Sequence, residues 1–328
     1  MNTLHVTLFG QFQVRLGNQV VTDLYSRKAQ ELFCYLLLNR DRSHPRETLA
    51  SLLWGDTSTS QSKRYLRQTL WQLRTALKSR SEPSRPEVLL VDPNWIRLNP
   101  AAGLRLDVAA FEQAFARTWS VPGQVLDALQ VQALHDAVAL YQGDLLEDWF
   151  QDWCLYERER LQNIYLAALD KLMDYCEASR DYDAGLAYGT RILRYDLARE
   201  RTHRRLMRLY YLAGYRTSAL RQYDRCVQIL RRELGVKPAA STVALYEELR
   251  KGRIVSSAAS PSDRHPHITN RPLVEILQHL KQLQTLLAQL EDELERVIHA
   301  AGPIMKAQHS LPDDRAALAG QFPLEQTP

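Results

Sequence analysis

Polar and apolar residues alternate over the first 21 positions of the chain, which predicts short β-strands. Residues 4–8 place Leu and Val at every second position, and residues 12–16 repeat this alternation after Gly10. A Gly-Asn pair at 17–18 then separates the second stretch from a third apolar stretch at 20–21. A period of two with Gly-rich turns is typical of half-buried strands. The chain therefore begins with a small β-sheet.

Three segments with helical spacing follow, and then a hairpin. Helices are predicted at residues 26–38 and 45–54, and a third over Ser60–Leu77, which reads SQSKRYLRQTLWQLRTAL. Residues 88–91 and 95–98 are short apolar strands on either side of the turn Asp-Pro-Asn. This order, a small sheet followed by three helices and a hairpin, is typical of a winged helix. In a winged helix the third helix enters the major groove of DNA and the hairpin forms a wing beside it.

The third helix has an apolar stripe on one side and Arg and Gln on the other. The stripe consists of Leu66, Leu70, Leu73 and Leu77. Seven basic residues and one acidic residue lie between positions 61 and 85. Arg pairs with guanine and Gln with adenine in the major groove, while other cations neutralise phosphate. A solvated basic face is the alternative, and the surrounding winged-helix pattern favours the DNA interpretation.

This interpretation assigns a role to each exposed position. We expect the base edges to be contacted by Arg64, Gln68, Gln72 and Thr75. The residues expected at phosphates are Lys63, Arg67 and Arg74 on the helix and Asn94, Trp95 and Arg97 on the wing. Trp71 is expected to stack on a sugar or a thymine methyl group, or to pack against the neighbouring helix.

The charge distribution agrees with a polyanion partner for the first third of the chain. The 328 residues carry a formal charge of +4, but residues 1–106 hold 15 basic and 8 acidic residues, a net +7. Residues 107–251 carry −1 and residues 252–328 carry −2. The excess lies where DNA binding is predicted.

Other function classes find little support. Phosphate-binding loops, dinucleotide fingerprints and hydrolase motifs are missing from the sequence, so we expect neither an enzyme nor a cofactor. The four cysteines are far apart and we expect them as buried, reduced thiols, while His265 and His267 have no partners at metal-ligand spacing. No signal peptide or membrane-length apolar run is present, which predicts a cytoplasmic protein without membrane contact.

Residues 107–251 read as an all-helical domain with an internal repeat. The segments 180–193 and 214–227 align at an offset of 34, which superimposes Gly185 on Ala219. That period is typical of tetratricopeptide-like (TPR-like) helix pairs. The Arg-rich stretch 201–208 is either a second nucleic-acid contact or, as we favour, the outer face of a repeat helix. Four aromatic residues would form either a ligand groove or, preferably, core: Trp149, Trp153, Tyr156 and Tyr165.

The C-terminal quarter is predicted to be a linker, a coiled coil and a tail. Residues 252–272 are Ser/Pro/His-rich and aperiodic, residues 273–300 carry a heptad pattern, and residues 301–328 are expected to be disordered. The heptad positions are Leu273, Ile276, Leu280, Leu283, Leu287, Leu290, Leu294 and Val297. Self-association as a homo-oligomer is favoured over docking of one amphipathic helix on the helical domain.

The chain resembles a known family of bacterial regulators. The N-terminal segments FGQFQVRLG, RKAQELFCYLLLNRDRSHPRETLASLLWGD and LRQTLWQLRTAL resemble the OmpR-type winged helix of SARP-type transcriptional activators. The run LRRELGVKP, followed by a last helix, is similar to the close of their bacterial transcriptional activator domain (BTAD). The resemblance implies a regulator that binds direct repeats in double-stranded DNA near promoters and contacts RNA polymerase.

The predicted protein is thus a mainly α DNA-binding transcriptional regulator with small β elements, working in the bacterial cytoplasm at the nucleoid. Its expected parts are a winged helix (1–106), a helical domain (107–251), and the linker, coiled coil and tail. Two alternatives stay open: a ligand-responsive repressor with the same DNA head, and a TPR-like scaffold that binds protein rather than DNA. A steep salt dependence of DNA binding would separate the scaffold from the other two.

Overall fold

The computed structural model describes residues 3–17, 19–22, 24–78 and 86–252. Met1–Ile254 forms one compact unit. The predicted linker beyond residue 252, the eight heptad positions and the tail lie outside the described residues. We refer to residues 3–106 as the winged-helix region and to residues 107–252 as the helical region.

The winged-helix region contains two small sheets and three helices. Its strands are β1 (Leu4–Thr7), β2 (Gln13–Leu16), β3 (Gln19–Val20), β4 (His44–Pro45), β5 (Leu89–Val91), β6 (Trp95–Leu98) and β7 (Leu104–Leu106). Its helices are α1 (Arg27–Leu38), α2 (Arg46–Trp54) and α3 (Thr59–Leu77). One sheet has the strand order β3-β2-β1-β7, and the other β4-β6-β5. The predicted winged helix is confirmed, including the hairpin β5-β6 as the wing.

Local sequence explains how these elements begin and pack. The Ser26 hydroxyl accepts a hydrogen bond from the Ala29 amide and caps α1, as expected for this residue type at a helix start. Leu32 and Leu36 of α1 are buried, and α3 packs against both α1 and α2. The apolar stripe of α3 therefore faces the core, and its opposite side remains outside.

The helical region is built from seven further helices in the described part of the chain. They are α4 (Asp107–Thr118), α5 (Ala128–Leu140), α6 (Asp152–Ser179), α7 (Tyr182–Tyr195), α8 (Glu200–Leu212), α9 (Arg216–Leu234) and α10 (Ala240–Lys251). From α6 to α10 each helix packs on the next. None of the helices in the described ranges is long and apolar enough to cross a bilayer.

The repeat inferred from the sequence coincides with close helix crossings. Gly185 and Ala219, which the 34-residue offset superimposes, are both buried. A Cβ on the nearby Gly189 would lie 2.6 Å from Leu206 Cδ2, so a larger residue there would force the Leu206 side chain or the two helices α7 and α8 to shift. Arg180 adopts a left-handed φ of 63° at the end of α6, a conformation that normally selects glycine.

The Arg-rich stretch at 201–208 is only partly an outer face. Leu206 and Leu209 are buried, as predicted. The side chain of Arg205, however, is only 12% exposed and forms ion pairs with Asp170, at 3.0 Å, and Asp174 of α6. Arg205 therefore joins α8 to α6 inside the helical region. Because two carboxylates already neutralise its charge, this side chain is not available for a second nucleic-acid contact.

The aromatic residues of this region divide between core and surface. Trp149 and Tyr165 are buried, and Tyr165 stacks on Tyr141 with ring centroids 4.1 Å apart. The expectation that all four aromatic residues are core is wrong for Tyr156, which is 71% exposed. The four cysteines are buried, as predicted, and burial raises the pKa of the Cys34 thiol well above its usual value.

Main-chain pairing joins the winged-helix region to the helical region. Strand β7 pairs in parallel with β1 within the winged-helix region, and α4 of the helical region starts at the next residue, Asp107. The Asp107 Oδ2 atom accepts hydrogen bonds from the amides of Leu8, at 2.8 Å, and Phe9, at 2.9 Å. Farther along the chain, the Leu146 amide donates to the Leu8 carbonyl and the Gly10 amide to the Asp144 carbonyl.

Charged side chains reinforce this junction. Arg40, which follows α1, lies 2.6 Å from Glu112 of α4, and Arg160 of α6 lies 2.5 Å from the same carboxylate. The Arg27 guanidinium stacks 3.8 Å above the ring centre of Trp149. Because backbone pairing and side-chain contacts both cross the junction, the orientation of α3 relative to the helical region is fixed.

Candidate nucleic-acid interface

Helix α3 places its small and apolar residues inward and its charged residues outward. The buried residues of α3 are Ser62, Leu66, Thr69, Leu70, Leu73 and Leu77. Apart from the adjacent pair Thr69 and Leu70, they recur at steps of three and four, which defines a single helix face. The apolar stripe inferred from the sequence is thus confirmed in full, and the opposite face points away from the core.

The exposed face of α3 carries a line of four residues with suitable chemistry for base edges. Arg64, Gln68, Trp71 and Thr75 follow one another at steps of four, three and four, and all four are exposed. Trp71 is 69% exposed, so it is available to a ligand and does not pack into the neighbouring helix. Gln72 lies at the edge of this face and is half-buried.

One of these groups already has a partner within the helix. The Thr75 hydroxyl donates to the Trp71 carbonyl oxygen at 2.8 Å. A hydroxyl engaged in this way keeps its lone pairs and can still accept a hydrogen bond. Thr75 is therefore suited to accept from an amino group of a base and is less suited to donate.

The wing presents its polar residues on the outer side of the hairpin. Ile96 and Leu98 of β6 point into the core, whereas Trp95 and Arg97, which alternate with them, are exposed. The turn closes with a hydrogen bond from the Asp92 amide to the Trp95 carbonyl oxygen at 2.9 Å. The three wing residues inferred from the sequence therefore lie on an accessible surface, with Asn94 in the turn.

A groove with a basic lining runs between α3 and the wing. It consists of two depressions of about 590 and 750 Å³. The charged residues lining the groove are Arg46, Glu47, Lys63, Arg67, Arg74, Lys78 and Glu87. Among the described residues, five cations against two anions give the groove a net positive charge, which favours a polyanionic ligand.

Arg46 is a member of this groove that sequence reasoning did not identify. It lines both depressions together with Arg67. Its amide donates to the Asn94 carbonyl oxygen, and its guanidinium reaches the Asp92 carbonyl oxygen at 3.3 Å. These contacts depend on the pairing of β4 with β6, where His44 lies opposite Ile96. The two strands are some fifty residues apart, and no local pattern indicates such a pairing.

Two of the cations expected at phosphates form ion pairs within the protein. Lys63 Nζ lies 2.5 Å from Glu47 Oε1, and one terminal nitrogen of Arg74 lies 2.8 Å from both carboxylate oxygens of Glu87. The hydrogen bond from Lys63 holds the pKa of Glu47 below its usual value. Arg64, Arg67 and Arg97 form no ion pair with any of the described residues.

Comparisons with known proteins identify the helical region. Residues 106–250 match the bacterial transcriptional activator domain. The chain is 24% identical over 224 residues to transcriptional regulatory protein MoaR1 of Mycobacterium bovis and of Mycobacterium tuberculosis, which covers 68% of this chain and 71% of MoaR1.

A solved structure shares the architecture. Mycobacterium tuberculosis EmbR, determined in complex with a low-affinity phosphopeptide, superimposes with a TM-score of 0.64 at 21% sequence identity. The match covers 78% of this chain and 67% of the EmbR chain. At this identity the likeness shows the fold, a winged helix followed by TPR-like helices. The domain match confirms the resemblance inferred from the sequence for the helical region.

Proposed function

We propose that this protein is a transcriptional regulator of the SARP type, and that it acts by binding duplex DNA with α3 in the major groove. The observation that carries this proposal is the exposed line of Arg64, Gln68, Trp71 and Thr75 on a helix whose other face is buried. Arg and Gln are the side chains that pair bidentately with guanine and adenine. In this arrangement Arg64, Gln68, Gln72 and Thr75 face the bases, and Trp71 contacts a sugar or a thymine methyl group.

The groove between α3 and the wing then receives the phosphate backbone. Lys63, Arg67 and Arg74 flank the base-reading line on the helix side, and Asn94, Trp95 and Arg97 lie on the wing side. Arg46 joins this set because it lines the groove between them. Phosphate contacts of this kind fix the register of the protein on DNA without reading sequence.

The helical region serves as the protein-contact part of the regulator. We assign residues 1–106 to DNA binding and residues 107–251 to contact with RNA polymerase. The second assignment is supported by the match of that segment to an activator domain. Self-association through residues 273–300 would place two or more heads on direct repeats, raising affinity through effective concentration. The protein would then work at the nucleoid in the bacterial cytoplasm, by binding and not by catalysis.

Selection of genomic DNA fragments by the purified full-length protein tests this function. Enriched direct repeats about one helical turn apart are expected if copies bind head to tail. Absence of any salt-dependent DNA binding would overturn the proposal and favour a scaffold that binds protein. A promoter–reporter assay on the selected sites would then separate activation from repression.

A point variant tests the docking of α3. Arg64→Ala should relax the base preference at one position of the selected site, with a loss of about 1–3 kcal/mol in discrimination. Arg117→Ala is the matched control, because Arg117 is exposed on α4 and lies outside the α3–wing groove. If the two variants behave alike in affinity and base preference, α3 is not the reading helix.

A further inference from the structure

The two carboxylates in the groove between α3 and the wing occupy the space in which a phosphate backbone would lie. Glu87 lines one depression and Glu47 lines the other. Each is paired with a cation of α3 that faces the same depression, Glu87 with Arg74 and Glu47 with Lys63. The carboxylates therefore take the position, relative to those cations, that phosphate oxygens would take in a DNA complex.

These pairs are accessible, and they are not part of the folded core. The exposed fractions of the paired side chains are 47% for Lys63 and 76% for Glu47, and 47% for Arg74 and 61% for Glu87. Exposed ion pairs of this kind contribute little to stability. A contribution to stability therefore explains poorly why Glu47 and Glu87 are carboxylates. An effect on the binding of a ligand in the groove explains it better.

We infer that Glu47 and Glu87 are internal phosphate mimics that limit the affinity of this surface for DNA. The inference rests on the proposed function and adds regulation of affinity to it. In the free protein the two glutamates neutralise Lys63 and Arg74, so only part of the groove's positive charge is available to DNA. When DNA binds, a phosphate displaces each carboxylate or is repelled by it, and either event lowers the affinity for any sequence.

The cost is sequence-independent, because phosphates carry no base information. Binding to duplex DNA then depends more on base contacts by the exposed face of α3 and on joint binding by several heads. The attraction that remains in one copy would come from the cations of α3, the groove and the wing that have no ion pair among the described residues, namely Arg46, Arg64, Arg67, Lys78 and Arg97. A regulator limited in this way dissociates readily from the bulk of the chromosome.

Charge-neutral variants of the full-length protein test the inference. Glu47→Gln and Glu87→Gln keep the size of each side chain and release one cation each. Glu248→Gln is the matched control, since Glu248 is exposed on α10, which packs on α8 and α9 and does not line the groove. The probe is one fixed duplex of arbitrary sequence, with its dissociation constant measured over a range of salt concentrations.

Each groove variant should bind the duplex more tightly and with a steeper salt dependence. The neutralisation of one additional phosphate changes the slope of log K against log salt concentration by about −0.9. If the affinity at 1 M salt is unchanged, this slope corresponds to about eightfold tighter binding at 0.1 M salt. The double variant should approach twice that change in slope. Thermal melts of all variants should stay close to wild type, since both pairs are exposed.

Three outcomes of this experiment decide whether Glu47 and Glu87 limit the affinity for DNA. Tighter, steeper binding by both groove variants, with Glu248→Gln equal to wild type, supports the inference. Groove variants that equal the control, or that bind more weakly because the carboxylates orient Lys63 and Arg74 for DNA, overturn it while leaving DNA binding intact. A wild-type protein without salt-dependent binding overturns the proposed function and this inference together.

Discussion

The Asp107 side chain lies at the junction between the sheet of the winged-helix region and the first helix of the helical region. Its Oδ2 atom accepts from the Leu8 and Phe9 amides of the N-terminal segment, and its Oδ1 atom accepts from the Val108 amide in α4. Asp107→Ala removes all three acceptor contacts at once. The variant should therefore destabilise the whole compact unit and not just one helix end.

The magnitude follows from the groups left without a partner. A buried amide that loses its acceptor costs about 1–3 kcal/mol, and the Leu8 and Phe9 amides face the partly buried Asp107 carboxylate. Burial raises the pKa of Asp107 despite these hydrogen bonds, so the charged carboxylate is itself penalised in the fold, and its removal returns part of the loss. We expect a net decrease of about 3 kcal/mol in the free energy of unfolding.

Urea unfolding of the full-length chain, followed by far-ultraviolet circular dichroism and by tryptophan fluorescence, measures this difference. Asp107→Asn should lose only about 1 kcal/mol, because its amide oxygen can still accept from both Leu8 and Phe9. Asp127→Ala is the control for an ordinary helix cap, since Asp127 caps α5 with its side chain at the surface, and it should cost about 1 kcal/mol. Equal losses for Asp107→Ala and Asp127→Ala would refute the assignment of Asp107 to the junction.

Two further predictions concern the helical region. Arg180→Gly should raise the free energy of unfolding by about 0.5–1 kcal/mol, because Arg180 has a left-handed φ of 63° at the C-terminus of α6 and glycine adopts this conformation without strain. A thermal or urea melt checks this, and a lower stability would mean that Arg180 makes contacts worth more than its strain. His203 is buried and neutral, with Nε2–H donating to the Leu197 carbonyl oxygen and Nδ1 accepting from Gln222. Burial lowers its pKa, so the unfolded chain takes up the proton first and stability falls as pH drops below about 6.5. His203→Gln should show a shallower loss of stability between about pH 7.5 and 5.5 than wild type, and identical pH profiles would contradict this.

The α3 surface could be predicted from the sequence because its information is local. The spacing of Leu66, Leu70, Leu73 and Leu77 determines which side is buried, and the exposed side follows from helix geometry alone. The wing is equally local, since two short apolar strands flank one turn. Pairing within the groove was not predictable, because Glu87 lies outside α3 and meets Arg74 across a separation of 13 residues in the sequence.

The type and order of the elements follow from local patterns in the sequence: a small sheet, three helices and a wing, and then helices with a 34-residue repeat. These features depend on periodicity, caps and turns within a few residues of one another. How the two regions are joined, and which cations of the groove are paired with carboxylates, depends on contacts between elements that are distant in the sequence. The parallel pairing of β7 with β1 and the contacts of Asp107 with Leu8 and Phe9 span about a hundred residues. Contacts at that separation arise from the packing of whole elements, so no local pattern specifies them.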